Sequence, residues 1–150
     1  MNTRAGTGAL VVVGLAFCGV GYLGLVAPTA LLVPLGLDWS TLPEAARNEI
    51  TANYGGMHAA MGLFFLVAAF VPAIRLGALL AASSFLVGLV VGRVTALVRD
   101  GFSGAMPLAL VVVELMGVLI TLGAVLKRHA PVPAAPPPEP SPASSAPPPL

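Results

Sequence analysis

The stretch "EITANYGGMHAAMGLFFLVAAF", Glu49 to Phe70, joins a polar start to a long apolar end. From Ile50 onward it is long enough to cross a hydrocarbon core, which takes about 20 helical residues. It lacks the period-2 alternation of a barrel strand, and a backbone in lipid must satisfy its own hydrogen bonds. The stretch therefore predicts a membrane-spanning helix that carries polar side chains near one end.

The composition of the whole chain indicates the same class of protein. Of its 150 residues, 57% are hydrophobic and 9% are charged, with a mean hydropathy of +0.96, far from the values of a soluble domain. The formal net charge of +1 and the lack of a basic patch exclude a nucleic-acid partner, so the expected surroundings are the lipid bilayer. The single cysteine, Cys18, excludes an intramolecular disulfide.

Four runs of the chain are apolar and long enough to span a membrane. The short turns "VPAIR" and "RDGFSG" make neighbouring helices antiparallel. The prediction is an all-α, integral membrane four-helix up-down bundle formed by residues 1–129. Residues 130–150 are predicted to be a disordered tail, because a segment dominated by proline, alanine and serine cannot pack a core. The predicted spans cover residues 8–26, 50–70, 76–97 and 106–126.

The segment between the first two spans is predicted to lie at the membrane surface. Its apolar part, Pro28 to Leu37, is too short to cross and is interrupted by Pro34, while Trp39 suits the aromatic belt at the interface. The following "TLPE", Thr41 to Glu44, is typical of a capping box. The second helix is therefore expected to begin before the membrane.

Basic residues in the short loops predict the orientation of the bundle. Arg4, Arg75, Lys127 and Arg128 fall on one side and have no acidic neighbour. Both termini are therefore expected to be cytoplasmic.

Polar residues from three spans are predicted to reach one layer on the outer side. At about 1.5 Å per residue from the outer end of the span, Asn53 and Tyr54 lie near the outer interface, and His58 lies about 12 Å below that interface. Arg93 on the third span and Glu114 on the fourth lie near the same depth. A charge within a span costs about 2.5–3.5 kcal/mol on insertion scales, so such residues are candidates for function. The candidate ligand-binding set is therefore Asn53, Tyr54, His58, Arg93 and Glu114, and no catalytic residue is assigned.

Structural explanations for the same residues stay open at this stage. Arg93 and Glu114 can form an ion pair that sets the register of helices three and four, or line a site open to the outer side; Arg93 can also extend to the interface. His58 can be a ligand contact, or a histidine satisfied by a neighbouring helix. Tyr54 can be an interfacial anchor.

Small residues mark two helix faces. Gly14, Cys18, Gly21 and Leu25 form a stripe that predicts a packing groove on the first helix. "GLVVG", Gly88 to Gly92, is a small-xxx-small pattern that suits packing within the bundle, a homo-oligomer or a membrane partner.

Two features of the sequence resemble cofactor or metal sites, but their positions in the chain do not support such sites. "GVGYLG", Gly19 to Gly24, matches the dinucleotide fingerprint but lies inside a predicted membrane helix with no preceding strand. His58 with two glutamates offers too few ligands for a metal, because His129 lies on the other side of the bundle. No cofactor and no metal ion are expected.

The polar residues also carry a resemblance to a known family. "EITANYGGMHAAMG", with its Tyr54–Gly56 block, "GR" at Gly92 and Arg93, and the lone Glu114 resemble the small bacterial membrane family catalogued as domain of unknown function 4345. The resemblance covers roughly Gly8 to Leu126. It implies a four-helix protein of the bacterial cytoplasmic membrane and no particular activity.

Three functions from different classes follow. The first is a membrane protein whose outer polar cluster binds a small molecule, a lipid headgroup or a quinone-like compound. The second is a structural or accessory subunit that packs against a partner through Gly88 and Gly92 and through the small-residue face of the first helix. The third is a proton-coupled carrier or membrane enzyme that uses Glu114 and His58 as acid and base, which requires a water path. The sequence does not decide whether the protein is an enzyme.

Overall fold

The computed structural model describes residues 3–101 and 105–128, and every regular element among them is helical. A π-helical segment, Thr51–Met57, joins α3 to α4, so that these three pieces form one continuous helix from Glu44 to Phe70. The predicted all-α bundle is confirmed, while the predicted tail, residues 130–150, lies outside the described residues. The α-helices are α1 Thr3–Val26, α2 Pro28–Leu32, α3 Glu44–Ile50, α4 His58–Phe70, α5 Arg75–Asp100 and α6 Ala105–Arg128.

Four helices are long and apolar enough to cross a membrane, and each predicted span lies within one of them. The second begins six residues before its predicted span because the polar turns of α3 extend it on the loop side. The four segments are Arg4–Val26, Glu44–Phe70, Arg75–Asp100 and Ala105–Lys127.

The connection between the first two long helices is built from short helical turns. After α2, a 3-10 turn at Val33–Leu35 ends at Gly36, whose φ of 72° suits glycine. A second 3-10 turn, Trp39–Thr41, starts at Asp38, whose carboxylate accepts hydrogen bonds from the amide and hydroxyl of Ser40. These hydrogen bonds lower the pKa of Asp38.

The predicted capping box at "TLPE" is wrong. The Thr41 hydroxyl donates to the carbonyl oxygen of Asp38, at 3.0 Å, and is therefore used by the preceding turn. Helix α3 begins at Glu44 after Pro43, with no side-chain cap. The turn at Asp38 competes for the threonine, a local alternative that the capping pattern does not encode.

The long helices pack as two antiparallel pairs, α1 with the Glu44–Phe70 helix and α5 with α6. The first pair approaches so closely that side chains are excluded: a Cβ added at Gly21 would lie 2.5 Å from the backbone nitrogen of Ala59. One added at Gly24 would lie 2.5 Å from the nitrogen of Gly55. The predicted packing groove on the first helix is therefore confirmed, and its occupant is the second long helix.

The apolar core lies mainly in one half of the bundle. This half, which we call the terminal end, holds the start of α1, the turn before Arg75 and the end of α6; the opposite half is the loop end. From Val87 to Asp100, every residue of α5 is half-buried or exposed. The two helix pairs thus pack closely at the terminal end and less closely at the loop end. The core comprises Ala9, Leu10, Val13, Phe17, Phe65, Ala68, Ala69, Ala78, Leu79, Ala82, Leu86, Ala124 and Val125.

Buried polar groups join the helices within this core. The guanidinium of Arg75, at the start of α5, donates to the carbonyl oxygen of Ala69 at 2.8 Å, and the Thr7 hydroxyl of α1 donates to the same oxygen at 3.2 Å. A cation on the exposed carbonyls of a helix end is favourable, so Arg75 caps α4 although it begins α5. Between α5 and α6, the Ser83 hydroxyl donates to that of Thr121 at 2.9 Å.

Candidate functional site

A cleft of about 340 Å³ lies between the Glu44–Phe70 helix and α5, toward the loop end. Its surface is mostly apolar, with polar groups along the α3 side. Concave apolar sites with a few polar groups are the usual form of small-molecule sites. The cleft is lined by Glu49, Ile50, Asn53, Tyr54, Met57, His58, Phe85 and Leu89.

The π-helical segment forms one wall of this cleft. Widened turns of this kind occur frequently at functional sites, because they change the direction of side chains along a helix. Here Tyr54 faces the cleft, whereas the neighbouring Gly55 is buried against Gly24 and Leu25 of α1. The Tyr-Gly block thus performs two tasks: the tyrosine lines the site and the glycine lets α1 approach.

His58 is the most buried polar group of the cleft, at 7% exposure. Its Nδ1 lies 2.7 Å from the carbonyl oxygen of Asn53. Three rings surround the imidazole: Tyr54 and Phe17 stack on it with centroids at 5.6 and 5.2 Å, and Phe85 meets it edge-on at 5.7 Å. The histidine is therefore held by its backbone bond and by rings from three helical elements.

Asn53 and Glu49 form the polar rim. The side-chain amide of Asn53 donates to the backbone oxygen of Glu49 at 3.0 Å and to its carboxylate at 2.9 Å. Both residues are exposed. Residues four apart on a helix meet in this way, and the bond holds the carboxylate at the cleft.

Arg93 and Glu114 meet outside this cleft. Arg93 Nε lies 2.7 Å from Glu114 Oε1, with side-chain exposures of 28% and 8%. The second carboxylate oxygen, Oε2, is sealed from solvent and has no hydrogen-bond partner among the described residues. The pair joins α5 to α6 by a single contact, and it leaves one buried oxygen unsatisfied.

The five predicted site residues fall into two groups. Asn53, Tyr54 and His58 line the cleft beside α5. Arg93 lines a second hollow, of about 210 Å³, with residues from the end of α5 and with Pro107. The contacts described for His58 and Glu114 do not join these two residues. The residues predicted at one depth therefore belong to two separate sites, because depth along a helix does not specify which face a residue occupies.

Aromatic residues at the centre of the site were missed by sequence reasoning. Phe85 of α5 closes the cleft opposite Tyr54, and Phe17 of α1 packs on His58, Phe65 and Phe85. A signal was present for Phe85, which is the lone large aromatic of the predicted span 76–97, whereas the first span carries both Phe17 and Tyr22. Phe17 and Phe85 belong to different helices, however, and only the packing brings them to one histidine.

Among residues 3–101 and 105–128, no three His, Cys, Asp or Glu side chains are placed to hold a metal ion. The cleft is therefore described by its hydrogen-bonding groups and rings.

The fold and the cleft define a class: a small all-helical protein with four helices long and apolar enough to span a membrane and a mostly apolar cleft between two helix pairs. The chain belongs to the family described as "Domain of unknown function (DUF4345)", whose family model matches residues 6–125. The match covers the four long helices nearly completely and leaves the proline-rich tail outside. No curated protein and no solved structure matches the chain.

Proposed function

We propose that this protein binds an amphipathic small molecule or a lipid headgroup in the cleft between the π-helical segment and α5. Asn53, Tyr54 and His58 are the polar contacts of this site, and Phe85, Met57 and Leu89 hold the apolar part of the ligand. Arg93 and Glu114 act as a structural pair that braces α5 on α6. The ligand enters sideways from the bilayer, since the cleft opens between two lipid-facing helices.

One observation carries this proposal: a nine-tenths buried histidine, oriented by a backbone carbonyl, lines a mostly apolar cleft of about 340 Å³. A polar group in the membrane interior is costly and tends to mark a functional position. The π-helical segment beside it supports the same interpretation, because such segments deviate from the more stable α-helix.

We place the protein in the bacterial cytoplasmic membrane, with both termini on the cytoplasmic side. The helix ends at the terminal end of the bundle carry Arg4, Arg75 and Lys127. An excess of basic residues favours the cytoplasmic side. The cleft then opens to the outer leaflet.

Photolabelling of the purified protein in phosphatidylcholine nanodiscs tests the binding site. The probe is a long-chain alcohol with a diazirine near its hydroxyl, and labelled residues are mapped by peptide mass spectrometry. Labelling is expected at Tyr54–His58 and at Phe85–Leu89, and excess dodecanol is expected to suppress it.

A cleft-filling variant supplies the control. Leu89→Trp fills the cleft and is expected to abolish the specific labelling, whereas Val87→Trp, on the exposed face of the same helix, is expected to keep it. Uniform labelling of lipid-facing residues such as Val12 and Val67, with no change in Leu89→Trp, would exclude the cleft as a binding site.

A second candidate function, packing against a partner helix, has its own observation. Within residues 3–101 and 105–128, no atom lies within 4 Å of a Cβ added at Gly88 or Gly92, so the described helices do not pack on this small-residue pattern. The pattern is thus free for a second copy or another membrane protein. Crosslinking between copies of a Gly88→Cys variant tests this candidate, and a Val98→Cys variant on the same helix is its control.

A further inference from the structure

The hydrogen-bonding pattern of the cleft identifies the kind of headgroup it accepts. This inference rests on the proposed function, because it concerns the ligand of the same site. Its basis is the separate role of each nitrogen and oxygen atom that lines the cleft.

The imidazole of His58 offers an acceptor. A backbone carbonyl only accepts hydrogen bonds, so Nδ1, at 2.7 Å from the Asn53 oxygen, carries a proton. In the neutral ring, Nε2 is then an acceptor. Within the described part of the chain, the contacts of His58 are this bond and three rings, which leave Nε2 unused.

This nitrogen is also accessible. The side-chain atoms that are sealed without a partner among the described residues are Arg75 Nε and Glu114 Oε2, and His58 Nε2 is not one of them. His58 lines the cleft and is otherwise buried, so the accessible part of its ring faces that space. An incoming donor can therefore reach Nε2 from the cleft.

The rim adds further acceptors. The Asn53 amide nitrogen is committed to Glu49, which leaves the Asn53 amide oxygen as an acceptor. Glu49 contributes a carboxylate, which only accepts. Among the residues that line the cleft, the Tyr54 hydroxyl is the one side-chain group left free to donate while Glu49 is ionised and His58 is neutral, and none of these residues is a lysine or an arginine.

The rings and the charge favour a cation. The carboxylate of Glu49 is the one formal charge on the cleft lining, and the rings of Tyr54 and Phe85 provide faces that attract a cation within about 6 Å. Ile50, Met57 and Leu89 supply apolar surface for a chain. A quinone, whose carbonyl oxygens only accept, fits this pattern poorly.

We propose that the cleft selects amphiphiles with a primary ammonium headgroup, which combines hydrogen-bond donors with a positive charge. The headgroup donates to His58 Nε2 and to the Glu49 carboxylate, and the alkyl chain lies along Met57 and Leu89. The source of the amine is either a lipid with an ammonium headgroup or a free long-chain amine.

Competition against the alcohol photoprobe separates the contributions of charge and donors. The competitors have the same twelve-carbon length and differ in their headgroups. Dodecylamine has both a positive charge and N–H donors, dodecyltrimethylammonium has the positive charge alone, and dodecanol has a donor alone. Dodecanoate carries the opposite charge. Dodecylamine is expected to compete about tenfold better than dodecanol, since a charge-assisted hydrogen bond exceeds a neutral one. Dodecyltrimethylammonium is expected to compete with a strength between these two, and dodecanoate is expected to be the weakest competitor.

Variants assign the preference to the cleft. Glu49→Gln is expected to bring dodecylamine to the level of dodecanol, and His58→Phe, which keeps the ring, is expected to weaken both. Glu44→Gln, an exposed residue of the same helix α3 outside the cleft, is the matched control and is expected to keep the tenfold preference. A preference that survives Glu49→Gln would overturn the proposal.

The outcomes distinguish the two levels of inference. Labelling in the cleft with equal competition by dodecylamine and dodecanol overturns the ammonium preference and leaves the binding site standing. Absence of labelling in the cleft removes the binding site itself. Replacing phosphatidylcholine by phosphatidylethanolamine identifies the source: a drop in labelling supports a lipid headgroup, and unchanged labelling that still yields to dodecylamine supports a free amine.

Discussion

Arg93 and Glu114 are the residues whose role the structure changes most. Within residues 3–101 and 105–128, theirs is the ion pair that joins two helices, at 2.7 Å between Nε and Oε1. Glu114 is 6% exposed, so removal of Arg93 would leave a buried carboxylate without a counter-charge. In an apolar interior that arrangement is strongly unfavourable.

A double-mutant cycle measures this coupling. Arg93→Met and Glu114→Leu are each expected to lower the free energy of unfolding in detergent by about 3 kcal/mol, because each leaves its partner unpaired. The double variant is expected to recover more than half of the summed loss. Single variants as stable as the wild type would contradict a structural role for the pair, and both residues would again be candidate ligand contacts.

At the same scale, Arg75 has a structural role that a count of the basic residues in loops does not reveal. Its charge contributes to the predicted orientation, yet the side chain is 7% exposed and caps α4 through the Ala69 carbonyl. The residue type and its position in a short turn are visible in the sequence. Its burial follows from the approach of α1, whose Gly6 lies beside the arginine stem.

The contact between α1 and the second long helix decides the shape of the first helix pair. Gly21, Gly24 and Gly62 each lack room for a methyl group, because backbone atoms of the facing helix lie within 2.8 Å of the Cβ position. Close backbone approach favours association in membranes through van der Waals packing. The stripe on α1 was predicted from its spacing, while its partner was not.

A pair of glycine substitutions in α1 tests this contact. Gly21→Ala is expected to lower the thermal midpoint, because overpacking costs about 1–3 kcal/mol. Gly19→Ala, two residues earlier with nothing within 4 Å, is expected to leave the midpoint unchanged or raise it, since alanine stabilises a helix by about 1 kcal/mol over glycine. Circular dichroism in maltoside detergent measures both. Equal midpoints would show that the helices can separate at Gly21 without loss.

The π-helical segment is the element that the sequence did not reveal. The residues Thr51–Met57 continue the helical pattern of the second span without interruption, so that nothing in their sequence indicates wider turns. The wider turns depend on contacts from outside the segment, with Gly55 pressed on α1 and the His58 ring bonded to Asn53. Local sequence cannot specify a backbone that its neighbours select.

At the scale of the molecule, two helix pairs meet tightly at the terminal end and leave a cleft at the loop end. Which side of the membrane this cleft serves depends on the orientation. In the orientation we propose from the basic residues, the terminal end and both chain termini face the cytoplasm.

Sided labelling of cysteines checks this orientation. In a Cys18→Ala background, Ala45→Cys, exposed on α3, is expected to react with a membrane-impermeant maleimide in intact cells. Ala73→Cys, exposed in the turn before α5, is expected to react only after permeabilisation. The reverse pattern would place the cleft in the cytoplasmic leaflet and would contradict the proposed orientation.

The sequence by itself determined the class of protein, the four helices and their limits within a few residues, because length and hydropathy are properties of each segment alone. It also identified His58, Tyr54 and Asn53 as candidate ligand-binding residues. Only the tertiary structure decided that Phe85 and Phe17 complete their site and that Glu114 belongs to a different one. The physical reason is that the depth of a residue in its helix follows from counting along the chain, whereas the rotation of each helix about its axis depends on how its neighbours pack. In this protein that packing depends on glycines that bring α1 within backbone contact of the second long helix.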